Sequence, residues 1–137
     1  MAKSPGEESR IDLMPIGIAK IDITPENPIR LSVYGNRTEP SEGISQRLHA
    51  KALVIGSDHQ LSLPVTVDSI GIPAWVSNEL SVRLNQKFSI PRAGLVVASS
   101  HTHAAPALYG TLSSPVLQQA GSPSYYYRNP GELLLGR

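Results

Sequence analysis

Apolar and polar positions change period along the chain, and each change marks an element. "PIGIAKIDIT" (15–24) alternates, the period of a strand with one face covered. "PENP" then ends it with two prolines, which have no N–H to give to a ladder. "LSVYGNRTEPSEG" (31–43) contains Gly35, Asn36, Pro40 and Gly43 and predicts a surface loop bordering a site. "RLHAKALVIG" (47–56) puts Leu48, Ala50, Ala52 and Val54 on one face, and "SDHQ" turns it into "LSLPVTVDSIG" (61–71), which predicts a hairpin. In "PAWVSNELSVRLNQKF" (73–88) a proline suits the first helical turn and Val76, Leu80 and Leu84 recur every fourth position. With Trp75 and Val82 widening the apolar stripe, this is an amphipathic helix. "LVVASS" (95–100) is nearly continuous in its apolarity, as in a strand covered on both faces.

Strand, helix and strand in that order make a βαβ unit, whose right-handed crossover leaves its two strands parallel. Joined to the antiparallel hairpin, it gives a mixed sheet of α/β class. Asp68 and His101 then stand near the carboxyl ends of two parallel strands, the edge where open α/β sheets bind ligands. With 137 residues, 40% of them hydrophobic, the chain holds one modest core. We place a partial domain at 15–112, after a flexible N-terminus at 1–14. The tail at 113–137 has three consecutive tyrosines, three prolines and no sustained period, as a loop-rich or disordered segment would.

Twelve basic residues stand against eleven acidic ones, a net charge of +1. No basic stripe follows a phosphate backbone, so nucleic acid is not an expected partner. There is no cysteine, which leaves any metal to His, Asp, Glu or Tyr. "MAKSPGEESR" is polar and unlike a signal peptide. The expected location of the chain as written is therefore cytoplasmic, or secreted or periplasmic if the true start lies upstream. No apolar run reaches the roughly 18 residues of a transmembrane segment.

The candidate chemistry lies in "SSHTHAAP" (99–106). On an extended chain His101 and His103 point the same way, so both imidazoles face one cavity, or one serves a metal and the other a substrate oxygen. A structural pair hydrogen-bonded at a strand end is the alternative. "AAPALYG" lacks the Asp-His continuation of HxHxDH hydrolases, and the preceding helix and strands do not suit the opening strand of a barrel amidohydrolase. Asp68 either caps the helix or orients an imidazole from behind. His49 is read as a packed or hydrogen-bonded strand residue, and His59 as a turn residue beside Asp58 and Gln60. Trp75 is read as core, and Arg47 and Lys51 as a wet strand face.

Four blocks, "GIAKIDITP" (17–25), "YGNRTEPSEGISQRLHAKALVI" (34–55), "VTVDSIGI" (65–72) and "SSHTHAAPALYG" (99–110), run in order over a span of about two thirds of the chain. In these the chain resembles the amino-terminal part of the catalytic domain of the neutral/alkaline non-lysosomal ceramidases. The resemblance implies an incomplete ceramidase-like amidase domain, the family fold being an α/β amidase domain followed by an immunoglobulin-like one. It implies a zinc-dependent amidase that splits ceramide, or a related lipid amide, into a sphingosine-type base and a fatty acid. His101 would then be a zinc ligand and His103 the residue beside the reacting amide. The resemblance also implies that the family's catalytic serine and its remaining His, Glu and Tyr ligands would lie beyond residue 110.

The chain departs from that pattern at two places. Ala104, Ala105, Pro106, Ala107 and Leu108 stand where ceramidases carry a Ser-Gly-Pro-Gly-Gly type loop, and Ser45 stands where a histidine is common. Exchanging glycines for side chains changes a pocket wall, which widens the substrate class to related lipid amides. The expectation is an amino-terminal fragment of a zinc amidase, inactive alone, from a short gene or a broken reading frame. The alternative is a non-catalytic binding module or remnant of the family. Either leaves a sheet edge uncovered, through which the chain is expected to self-associate.

Overall fold

Strand β1 (Ile16–Asp22) pairs antiparallel with β2 (His49–Ile55), from Ile16 opposite Ile55 to Asp22 opposite His49. β2 pairs antiparallel with β3 (Leu63–Val67). Helix α1 (Ala74–Phe88) then crosses to β4 (Leu95–Ser99), which lies parallel to β3 with Leu63 opposite Leu95 and Val67 opposite Ser99. The computed structural model describes residues 13–32, 37, 39–57, 60–106, 108 and 110–111. Within them the sheet order is β1-β2-β3-β4, the mixed α/β sheet and parallel βαβ unit read from the sequence. Asp58 and His59, residues 1–12 and the 113–137 tail lie outside the described residues.

The helix is specified by its apolar spacing and its ends. Pro73 occupies the N-cap itself with extended backbone, one position earlier than the sequence suggests. Ser89 closes the helix in the left-handed region at φ 55, and its N–H bonds back to the Asn85 carbonyl. Leu80 and Leu84 pack on a cluster of Leu63, Ile90 and Leu95, with Val65, Val97 and Ala52 around it. Val76 is also buried, whereas Val82 is exposed. The stripe is therefore narrower than predicted, because one helix resting on β3 and β4 touches the sheet along one line.

The opposite sheet face is bare among the described residues. Register places Ile16, Ile18, Leu53 and Ile55 there, with Val96 of β4. Ile18 is 82% exposed and Val96 60% exposed. The expectation that β4 is covered on both faces thus holds for one of them. Leu95 and Val97 face the helix, while Val96 and Ala98 have no layer above them in the described part. Such an apolar face beside the open edge of β1 favours association. Sedimentation of the chain is expected to show concentration-dependent oligomers, and Ile18→Lys to shift them towards monomer. A single monomeric species at high concentration would remove this expectation.

Beyond β1 the chain makes a long excursion, residues 23–48, that returns to start β2. Its neck is closed by Ile23 N–H to the Leu48 carbonyl at 2.9 Å and Leu48 N–H to Thr24 Oγ1 at 2.8 Å. Asp22 accepts from the Thr24 backbone N–H and from Arg47. Hydrogen bonds from Thr24, with Arg47 behind them, hold the Asp22 carboxyl down from its ordinary 3.8 to about 2. The clasp therefore stays charged well into acid, and it anchors the loop above the carboxyl ends of the strands.

Candidate functional site

The parallel ladder continues past the ends of β3 and β4. Ser100 N–H bonds the Val67 carbonyl at 3.0 Å and Thr102 N–H bonds the Ser69 carbonyl at 3.0 Å. This extension puts the segment 68–71 beside 100–103, at the edge predicted for a site. Asp68 and His101 do follow adjacent parallel strands, but their side chains have different partners.

Asp68 Oδ2 accepts the His49 backbone N–H at 2.9 Å and lies 4.0 Å from His49 Nδ1. In return, Asp68 N–H bonds the His49 carbonyl at 2.9 Å. The carboxylate thus fastens the end of β3 to the start of β2. It does not cap α1, whose N-cap has no side-chain hydrogen bond, and the imidazole beside it is that of His49. Asp68 also lines a cavity of about 460 Å³ under the 23–48 loop, together with Pro25, Ile29, Leu48, Thr102 and Ala104. Neither His101 nor His103 is among the described residues lining it.

His101 has φ 56, a left-handed conformation that residues other than glycine adopt rarely. The chain is therefore not extended across the His-Thr-His stretch. The bend takes His101 Nδ1 to 2.9 Å from the Ile70 carbonyl. A carbonyl oxygen only accepts, so Nδ1 carries the proton, and in the neutral ring Nε2 keeps its lone pair. The ring of His103 stands edge-on to it, centroids 5.6 Å apart and planes at 87°. The two imidazoles do meet, though through a turn rather than through strand alternation.

The loop from 23 to 48 fixes the far side of this turn. Arg37 Nη1 donates to the His103 carbonyl at 2.8 Å, and Arg30 Nε donates to the Arg37 carbonyl at 2.7 Å. The buried Ser32 gives both its N–H and its hydroxyl to the Ala105 carbonyl, each at 2.8 Å. Ala105, Pro106 and Leu108 are buried. Arg37 and Ser32 hold the backbone of the candidate site, and the sequence did not single them out; their signal was membership of a loop expected to border it.

An imidazole with Nδ1 bonded to a backbone carbonyl, as His101 has, makes the hydrogen bond typical of a metal-ligating histidine. Among the described residues, however, no group of three or more His, Asp or Glu side chains is placed to hold a metal. His101 fits as one zinc ligand; the described residues do not make the set of three or four donors that zinc takes. Nor is any helix among them long and apolar enough to cross a membrane.

Residues 14–128 match the family described as neutral/alkaline non-lysosomal ceramidase, N-terminal. Two solved structures are similar in fold. One is the neutral ceramidase from Pseudomonas aeruginosa, at 25% identity and TM-score 0.60 over 69% of this chain and 16% of that one. The other is a ceramidase complexed with C2, at 26% identity and TM-score 0.60 over 69% of this chain and 15% of that one. The chain thus spans about a sixth of the length of these ceramidases. No curated protein matches the chain.

Proposed function

Because the chain belongs to the neutral/alkaline non-lysosomal ceramidase family, we propose that it carries the amino-terminal part of a zinc-dependent amidase site for ceramide or a related lipid amide. His101 is a zinc ligand in this reading and His103 the group beside the reacting amide. The observation that carries it is the 2.9 Å contact between His101 Nδ1 and the Ile70 carbonyl, which leaves Nε2 as the nitrogen open to a ligand. The names of the two similar ceramidases support the lipid-amide substrate class. When bound, zinc supplies Lewis acidity to a carbonyl and to an attacking oxygen.

The chain's own contribution is placement. His103 hydrogen-bonds the reacting group, and its backbone is held by Arg37 from the opposite loop. In the overall hydrolysis the C–N bond breaks, the acyl carbon gains the oxygen of water, and the departing amine takes a proton. The buried serine-to-Ala105 bonds keep the wall after the histidines from drifting. A second reading, a non-catalytic binding module, draws on the bare sheet face with Ile18 and Val96 and on the short donor set.

Grafting "SSHTHAAPALYG" (99–110) in place of the matching segment of the Pseudomonas aeruginosa neutral ceramidase separates the two readings. The expected result is a zinc-loaded chimera that hydrolyses an N-acyl amide, losing about 100-fold or more of its rate on His103→Ala. A folded, zinc-loaded chimera with no hydrolysis of ceramide or of shorter-chain N-acyl amides would overturn the amidase reading.

A further inference from the structure

We infer that the turn at residues 69–71, with Ser69 as its key side chain, is a positioning element that holds His101 as the Nδ1–H tautomer and presents Nε2. The inference rests on the reading of His101 as a metal ligand, but it makes a claim about the metal-free protein. A free imidazole exchanges between two neutral tautomers, and the hydrogen bond at one nitrogen decides which the protein keeps. Here the deciding acceptor is a backbone carbonyl, that of Ile70. Its usefulness depends on how firmly that peptide is held.

Three ties hold it. Ser69 is 4% exposed and Ile70 5% exposed, so both side chains are anchored inside. The Ser69 hydroxyl donates to the Gly71 carbonyl at 3.1 Å, bridging over the Ile70 peptide. The Ser69 carbonyl accepts Thr102 N–H at 3.0 Å, which links the turn to the residue directly after His101. His101 is therefore gripped twice by one turn, through its ring and through its neighbour's backbone. Its left-handed φ of 56 persists because the surroundings impose it. Gly71 completes the fit, since a Cβ there would meet Thr111 Cγ2 at 2.8 Å.

Nitrogen-15 spectra of the imidazoles in the metal-free, full 137-residue chain, taken where the ring is neutral, test the claim directly. The His101 signals, assigned by their loss in His101→Ala, are expected to show a protonated Nδ1 and a bare Nε2. An Nε2–H ring, or an even mixture, would overturn the inference whatever zinc does. In Ser69→Ala, with circular dichroism unchanged, the ring is expected to move towards a mixture and zinc affinity to fall about tenfold. A variant that keeps the wild-type tautomer would overturn the role given to Ser69. Zinc affinity unchanged by His101→Ala would overturn the ligand reading instead, with the tautomer lock standing on its spectra.

Discussion

The 137-residue chain on its own is expected to take up zinc only weakly and to release no fatty acid from a fluorescent ceramide. The described residues present one imidazole with its nitrogen set for a metal, His101, and a second, His103, at 5.6 Å between ring centroids. A zinc site with an open position takes three protein ligands, and affinity falls with each one missing. Calorimetric titration is expected to give a dissociation constant weaker than about 1 μM, which corresponds to roughly 8 kcal/mol of binding. His101→Ala should remove what binding there is. Hydrolysis is lost for another reason: groups that act as a unit do not keep a proportionate share of the rate when separated. Submicromolar binding, or turnover that disappears with His101→Ala, would show that a complete site is present within these 137 residues.

The largest loss of stability is expected at Gly56. This residue ends β2 at φ +111, and a Cβ built on it runs into the backbone carbonyl of Gln60. Its N–H also bonds the Pro15 carbonyl at 3.2 Å, where β1 begins. Gly56→Val therefore adds a branched side chain at a φ closed to it, against backbone that belongs to the same hairpin. Strain of this kind costs about 1–3 kcal/mol and the collision adds to it, enough to unfold a small sheet with one covered face. Gly17→Ala in β1 is the control: its new methyl would meet Val54 Cβ at an ordinary 3.8 Å, and a change within about 1 kcal/mol is expected. Equal urea midpoints for the two variants would show that the hairpin relaxes around residue 56.

What the sequence made legible was periodic. Alternation located β1 to within two residues at each end, and Val76, Leu80 and Leu84 located α1 and its inward face. The order strand, helix, strand was enough for the parallel pair. Continuous apolarity in "LVVASS" predicted cover on both faces, of which the described residues supply one, because apolar residues record what a face can bury and not which segment buries it. At the candidate site, the nearness of the two histidines was legible and their geometry was not. Nothing in the letters marks His101 as left-handed, a conformation usually signalled by glycine or asparagine. The bonds from Arg37 to His103 and from Ser32 to Ala105 span 66 and 73 residues, beyond the reach of any local pattern. Asp68 was placed at the correct edge, but its partner, His49, depends on register between β2 and β3.

The strand order β1-β2-β3-β4 is also the order of synthesis. Every strand after the first therefore follows its partner in sequence, and α1 precedes β4, against which it packs together with β3. Contacts between successive elements cost little loop entropy and form early. The similar ceramidase structures are more than four times as long as this chain, and the family model that matches it is an N-terminal one, so in a protein of that length such a sheet is laid down before the bulk of the chain exists. In a chain of that length, the face of Ile18 and Val96, bare among the described residues, would be the surface on which later-made layers pack.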